Sequence, residues 1–123
     1  MRLFMTTLLV VSLFWLQPTK DEVLTNTNWS GILHAPDPVD AVLEFKTDSM
    51  FVYIGPELIE TMTYAVKGDT LTLTKVSGSS PCDQQPVNYQ YSVKDENLKL
   101  LALTDNCTER KNAFAPEGYK RMK

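Results

Sequence analysis

Histidine and cysteine are scarce in this chain of 123 residues, which contains one histidine and two cysteines. A Ser-His-Asp arrangement needs a histidine beside a nucleophile and an acid, but the residues after His34, Ala35-Pro36-Asp37, are typical of a turn. Two cysteines and one histidine are also too few for a zinc site with ordinary ligand spacing. We therefore predict no catalytic residue, no metal site and no cofactor, and we expect a protein that is not an enzyme.

Clusters of basic residues are absent as well. The 12 lysines and arginines are interspersed with 15 acidic residues, for a formal net charge of −3. Proteins that follow a phosphate backbone carry a basic patch, so we expect no nucleic-acid partner. The sequence also lacks low-complexity tracts, linkers and long internal repeats, which favours a single domain.

A long apolar run occurs once, from Leu3 to Leu16, after Met1-Arg2 and before Gln17-Pro18-Thr19-Lys20. This arrangement is typical of a secretory signal, and we predict a signal peptide over residues 1–20 and a folded domain over residues 21–123. The alternative is a retained membrane anchor, but the run is shorter than the about 20 residues that span a bilayer. No lipidation cysteine follows it. We expect a secreted or periplasmic protein without stable membrane insertion after cleavage.

The remaining sequence alternates between apolar and polar residues with a period of two, which indicates β-strands. Val87 to Lys94 alternates without an error. The predicted strands cover residues 29–34, 39–46, 50–54, 59–66, 70–74, 87–94, 98–103 and 118–122. Eight short strands with turns between them predict an all-β, antiparallel up-and-down meander.

The connections of such a meander lie alternately at its two ends. The second, fourth and sixth are short, whereas the odd-numbered ones are predicted to be long and proline-rich. The odd connections cover residues 35–38, 55–57, 78–86 and 104–117. Because Cys82 and Cys107 both lie in odd connections, we predict that they meet and form a disulfide. Closing a loop of about 25 residues contributes about 3 kcal/mol to stability.

Several short signatures along the chain form one pattern. They are Trp29, the strand Leu43 to Lys46 running into the turn Thr47-Asp48, the hairpin Tyr64 to Leu73, the strand end Leu98 to Leu100, Cys107 followed by Glu109, and the terminal Tyr119 to Met122. Together they resemble the small secreted lipocalin-like domains common in Bacteroidota, over nearly the whole mature chain. The resemblance implies an eight-stranded up-and-down barrel. It also implies that Trp29 plugs the closed end and stacks on an arginine, either Arg121 or Arg110.

One face of the predicted strands is apolar and carries four tyrosines. It consists of Trp29, Leu33, Leu43, Phe45, Phe51, Tyr53, Met62, Tyr64, Val66, Leu71, Leu73, Tyr89, Tyr91, Val93, Leu98 and Leu100. The interior of an eight-stranded barrel is either filled by side chains or holds one small ligand. For a ligand, the candidate contacts are Tyr53, Tyr64, Tyr89, Tyr91, Phe45 and Phe114, because tyrosine hydroxyls supply polar groups in an apolar pocket.

The end of the barrel with the odd connections is the predicted mouth. Its expected lining is Pro36, Pro56, Pro86 and Phe114. Residues 110–115 fit a short strand, a turn of helix or a flap that carries Phe114 over the mouth. Four carboxylates also belong to this end, Asp37, Asp40, Asp83 and Asp105. We interpret them as solvated loop charges in preference to a calcium site.

The sequence therefore favours a monomeric binding module for a small apolar or amphipathic ligand. The alternative is a non-enzymatic interaction protein, such as an inhibitor or an envelope-associated partner, which displays loops 78–86 and 104–117 on a filled barrel. An interior cavity above about 300 Å³ would favour the first function, and a solid interior would favour the second.

Overall fold

The computed structural model describes residues 23–123. The predicted signal peptide, residues 1–20, lies outside the described residues. Within residues 23–123, no helix combines the length and the apolar character needed to cross a membrane.

Eight antiparallel strands form a closed barrel in which each strand pairs with the next and the last pairs with the first. The strands are β1 (Thr27–His34), β2 (Pro38–Phe45), β3 (Ser49–Ile54), β4 (Glu57–Lys67), β5 (Thr70–Gly78), β6 (Val87–Lys94), β7 (Asn97–Thr104) and β8 (Tyr119–Arg121). One short helix, α1 (Thr108–Ala113), lies between β7 and β8. The predicted all-β, eight-stranded up-and-down barrel is confirmed.

Burial along the strands follows the predicted alternation in most places. In β6, Val87, Tyr89 and Tyr91 are buried, whereas Gln90 and Ser92 are exposed. The largest fully buried side chains are Trp29, Tyr89, Tyr119, Phe45, Leu24, Leu43, Met50, Met62, Leu71, Leu73 and Leu98. Of the predicted interior residues, Val66 and Val93 are only partly buried and pack against the edge of this core.

The predicted inward face of β3 is wrong. Met50 and Val52 are buried there, whereas Phe51 and Tyr53 are partly exposed. The reason is the pairing with β2, in which Val52 lies opposite Leu43. Cross-strand partners point to the same side of a sheet, so the inward side of Leu43 determines the inward side of β3. Residues 50–54 are all apolar, and the sequence therefore offers no contrast by which to choose a face.

Short turns lie at the end of the barrel opposite the cysteines. Gly68, with φ of 60°, and Asp95 and Glu96, with φ of 53° and 62°, adopt the left-handed conformation of tight hairpins. At the cysteine end, the third connection is the two-residue turn Gly55-Pro56, because β4 already begins at Glu57. The first connection, residues 35–37, also has only three residues, so the prediction that every odd connection is long is wrong at these two places.

Trp29 lies at the short-turn end, fully buried. The Cζ atom of Arg121 lies 5.9 Å from the centroid of its ring. The indole Nε1 donates a hydrogen bond of 2.8 Å to Thr27 Oγ1. Arg121, and not Arg110, is therefore the arginine that stacks on Trp29.

The C-terminal segment is held by a close contact between β1 and β8. A Cβ atom at Gly31 would lie 2.6 Å from Tyr119 Cδ1, so only glycine lets the ring pack here. The hydroxyl of Tyr119 donates to the Ile32 carbonyl at 2.9 Å and accepts from the Ala115 N–H at 3.2 Å. These two bonds position the chain immediately after α1.

Candidate functional site

A cavity of about 720 Å³ lies at the cysteine end of the barrel. Strand residues, loop residues and α1 form its walls. The lining consists of Leu33, His34, Ala35, Pro36, Val52, Ile59, Glu60, Met62, Ser79, Ser80, Pro81, Thr108, Glu109, Arg110, Asn112, Ala113 and Phe114. The wall is mainly apolar, with a few polar groups supplied mostly by the loop and the helix. This combination is typical of a site for a small ligand.

The predicted disulfide between Cys82 and Cys107 is confirmed, with the two Cα atoms 5.4 Å apart. Cys82 follows Ser79, Ser80 and Pro81, which form one wall of the cavity, and Cys107 directly precedes α1, which forms another. The crosslink therefore restricts the separation of the two walls.

Of the three predicted conformations for residues 110–115, a short strand, a turn of helix or a flap, the structure shows the helix. The segment continues the helix to Ala113, and Phe114 then forms an isolated β-bridge with Leu33. The ring of Phe114 packs edge-to-face against Tyr89, with centroids 5.5 Å apart. Phe114 is therefore a fixed part of the cavity wall.

Asp105 and Arg110 form a buried ion pair beside this wall. Arg110 Nε donates to Asp105 Oδ2 at 2.8 Å, and Arg110 Nη2 donates to Asp105 Oδ1 at 2.9 Å. The side chain of Arg110 is 6% exposed and that of Asp105 is 0% exposed. Two further donors, the hydroxyl of Tyr89 and the N–H of Cys107, complete the coordination of the carboxylate.

This network changes the acidity of its members. Burial raises the pKa of Asp105, but the hydrogen bonds from Arg110, Tyr89 and the Cys107 N–H outweigh burial and hold it below its usual value. Burial, reinforced by the Asp105 carboxylate, raises the pKa of Tyr89. The hydrogen bonds to Asp105 raise the pKa of Arg110. At neutral pH the carboxylate and the guanidinium are both charged, and the phenol is neutral.

A second ion pair, between Glu60 and Lys75, lies near the opposite wall. Lys75 Nζ lies 3.4 Å from Glu60 Oε1 and donates hydrogen bonds to the carbonyl and the hydroxyl of Ser80. Gly78, with φ of 145°, lets Glu60 approach, because a Cβ atom there would lie 2.2 Å from Glu60 Oε1. The pair thus attaches the loop after β5 to the barrel.

Of the six residues predicted to contact a ligand, Phe114 lines the cavity. Phe45 and Tyr64 pack edge-to-face at the short-turn end, with centroids 5.2 Å apart, and the Tyr64 hydroxyl donates to the Lys46 carbonyl. Tyr89 lies behind Phe114, and neither Tyr53 nor Tyr91 lines the cavity. The other five residues do not line the cavity, which argues against their contact with a ligand there. Their role as ligand contacts stays a prediction.

The predicted mouth is only partly reproduced. Pro36 and Phe114 line the cavity, whereas Pro56 and Pro86 do not. The interpretation of Asp105 as a solvated loop charge is wrong, because Arg110 and Tyr89 cover it. Among residues 23–123, no three histidine, cysteine, aspartate or glutamate side chains are grouped so that they could hold a metal ion.

Sequence reasoning missed Glu60 and the Asp105–Arg110 pair as parts of the site. Arg110 entered the prediction only as one of the two arginines that could stack on Trp29. The signal was weak, because a carboxylate five residues before an arginine in a loop is common on protein surfaces. The buried role is visible only in the folded structure, where the two side chains are 6% and 0% exposed and Tyr89 donates to Asp105.

Comparison of the chain with protein-family models, with curated proteins and with solved structures finds no match. The fold and the geometry of the cavity are therefore the basis for a functional proposal.

Proposed function

We propose that this protein is an extracytoplasmic binding module that holds a small apolar or amphipathic molecule in the cavity at the cysteine end of its barrel. The volume of that cavity, about 720 Å³, carries the proposal. Ligand sites for small molecules have volumes of about 300–1,000 Å³, whereas a barrel filled by its own side chains would leave no such space.

The chemistry of the wall supports an apolar ligand body. Leu33, Val52 and Met62 are buried core residues that also line the cavity, so its inner part is hydrocarbon. Polar groups lie mainly along the loop Ser79 to Pro81 and along α1. An amphipathic molecule would place its apolar part on the strands and its polar part toward the loop and the helix.

Export to an oxidising compartment is part of this proposal. The disulfide supports it, since such bonds persist in secreted and periplasmic proteins. The predicted signal peptide and the resemblance to secreted lipocalin-like domains point in the same direction.

The decisive experiment is native mass spectrometry of the mature protein purified from its export compartment, followed by denaturing extraction of any bound molecule. We expect a co-purifying small apolar compound or, for protein stripped of it, binding of the neutral probe N-phenyl-1-naphthylamine. Ala113→Trp, which fills the cavity, should abolish probe binding. Lys111→Trp, on the same helix but exposed and outside the cavity, is the matched control. Apo protein that binds no probe would contradict the proposal.

A second candidate function is that of an interaction protein that displays loops 78–86 and 104–117. One observation favours it: Leu101 and Leu103 are 62% and 52% exposed on the outer face of β7. Leu103 also borders an outer groove of about 470 Å³ between the two loops. If this function is correct, Leu103→Asp should abolish binding to the protein partner in the native host. Ala113→Trp, which changes only the cavity, should leave that binding unchanged.

A further inference from the structure

Glu60 is an acidic residue that points into the apolar part of the barrel. Its cross-strand partner on β3 is Val52, and Met62 lies two residues further along β4. Cross-strand partners and alternate residues of a strand share one face of the sheet. Val52 and Met62 are both buried, and both line the cavity together with Glu60. The strand register therefore makes Glu60 part of the inner wall of the cavity.

The two oxygens of the Glu60 carboxylate have different surroundings. Oε1 is enclosed beside Gly78, where a Cβ atom would lie 2.2 Å from it, and it has no hydrogen-bond partner. Oε2 receives no hydrogen bond within residues 23–123 either, but it is not enclosed in this way. The side chain keeps 12% of its surface accessible. Because Glu60 points into the barrel, Oε2 is the oxygen that a ligand in the cavity can reach.

Lys75 compensates the charge of Glu60 without donating a hydrogen bond to it. Lys75 Nζ lies 3.4 Å from Glu60 Oε1, and its hydrogen bonds go to the carbonyl and the hydroxyl of Ser80. An ionised carboxylate accepts several hydrogen bonds, and water supplies them where the carboxylate meets solvent. A ligand that displaces this water must bring a donor in its place, or the carboxylate loses those bonds.

The ion pair also determines which kind of donor fits. An ammonium group of a ligand would share one carboxylate with the ammonium of Lys75, and like charges repel each other strongly in a site of low dielectric constant. The ligand ammonium would also lose its hydration beside an apolar wall. A hydroxyl group donates a hydrogen bond without carrying a charge, and so it avoids both costs.

We propose that Glu60 is the polar anchor of the ligand site and accepts a hydrogen bond from a hydroxyl group of the ligand. This inference rests on the proposed function and narrows its ligand class to apolar alcohols and phenols, as opposed to amines and to hydrocarbons without a donor. It makes Glu60 a specificity-determining residue of the cavity, in addition to its part in attaching the loop after β5.

Three molecules of similar shape test the inference on the intact protein by titration calorimetry at pH 7. They are 2-naphthalenemethanol, which has a hydroxyl, 2-ethylnaphthalene, which has no donor, and 2-naphthylmethylamine, which is a cation at this pH. We expect the alcohol to bind about tenfold more tightly than the hydrocarbon, because the hydrocarbon leaves the carboxylate without a donor. The amine should bind more weakly than the alcohol.

The double variant Glu60→Leu/Lys75→Met removes the acceptor and keeps the site neutral, so the alcohol should lose its advantage over the hydrocarbon. Glu57→Leu, at an exposed position of the same strand outside the cavity, should leave that advantage unchanged. Persistence of the advantage in the folded double variant would overturn the inference.

Two results on the unaltered protein would also overturn the inference and leave the proposed function standing. They are equal binding of alcohol and hydrocarbon, and binding of the amine at least as tight as that of the alcohol. Failure of all three molecules to bind would overturn both the inference and the proposed function.

Discussion

Leu33 and Phe114 form an isolated antiparallel β-bridge that joins the first strand to the end of α1. The bridge adds to a short junction of the barrel, because β8 has three residues and pairs with β1 only at Trp29 and Ser30. Phe114 also packs against Tyr119, with ring centroids 6.4 Å apart. The helix end is thus attached to the barrel wall by a backbone bridge and by ring packing.

Removal of the disulfide should loosen the cavity more than the barrel. We expect Cys82→Ser/Cys107→Ser to lose about 3 kcal/mol of stability and to lower the Tm by about 15 °C. The circular-dichroism signal of the β-sheet should persist, because the core residues lie in the strands. Binding of N-phenyl-1-naphthylamine should weaken. Loss of all β-structure would show that the core is too small to fold without the crosslink, and a free thiol in the exported protein would contradict the pairing.

Removing one member of the buried ion pair should lower the stability of the protein more than removing both members. Arg110→Met leaves the carboxylate of Asp105 buried without its cation, which should cost about 3–5 kcal/mol in urea unfolding. Asp105→Leu/Arg110→Met removes both charges and should cost less. Lys111→Met, at an exposed position, should change stability by no more than about 0.5 kcal/mol. If the single variant were as stable as the unaltered protein, the pair would not be buried as described.

Asp105 should make the protein sensitive to acid. Because the folded protein holds the pKa of this carboxyl below its usual value of 3.8, its contribution to stability is present above that pH and is lost as the pH falls through the folded value. Urea unfolding of the unaltered protein and of Asp105→Asn should therefore differ most at neutral pH. Below about pH 4 the difference should shrink. A difference that stays constant down to pH 2 would show that the group does not titrate with folding.

Tyr119 should limit stability on the alkaline side. Burial is the largest cause that raises the pKa of its phenol, from 10.0 to about 12. A raised pKa stabilises the fold below pH 10, and this contribution is lost as the pH rises from 10 toward 12. Tyr119→Phe removes the bonds to Ile32 and Ala115 and should lose about 1–3 kcal/mol at neutral pH.

Comparing the unaltered protein with Tyr119→Phe tests whether ionisation of Tyr119 causes the loss of stability at high pH. Above pH 10 the stability of the unaltered protein should fall more steeply than that of Tyr119→Phe, with tyrosinate absorbance rising as the barrel unfolds. If the free energy of unfolding fell in parallel with pH for the two proteins, groups other than Tyr119 would cause the alkaline loss of stability. Tyr89 remains in both proteins, and its pKa is also raised, so some loss is expected in the variant.

The helix and the cavity show where prediction from sequence reached its limit. Residues 110–115 are too few to show a periodic apolar pattern, so a short strand, a turn of helix and a flap all fit them. Phe114 was identified as part of the mouth because it is a large apolar residue in a long loop. The tyrosines are candidate ligand contacts because their hydroxyls could supply polar groups to an apolar interior. Alternation of apolar and polar residues, however, does not say at which end of the barrel a side chain lies.

Residue type and spacing alone predict the number and order of the strands, the tight turns after β2, β4 and β6, and the meeting of Cys82 with Cys107. These features depend on local backbone preferences and on the alternation of turns between two ends, both of which are written in residue type and spacing. The inward face of β3, the pairing of Asp105 with Arg110 and the existence of the cavity emerge only in the folded protein. Each of these depends on which distant side chains share a space, and that follows from packing and charge compensation rather than from any local pattern.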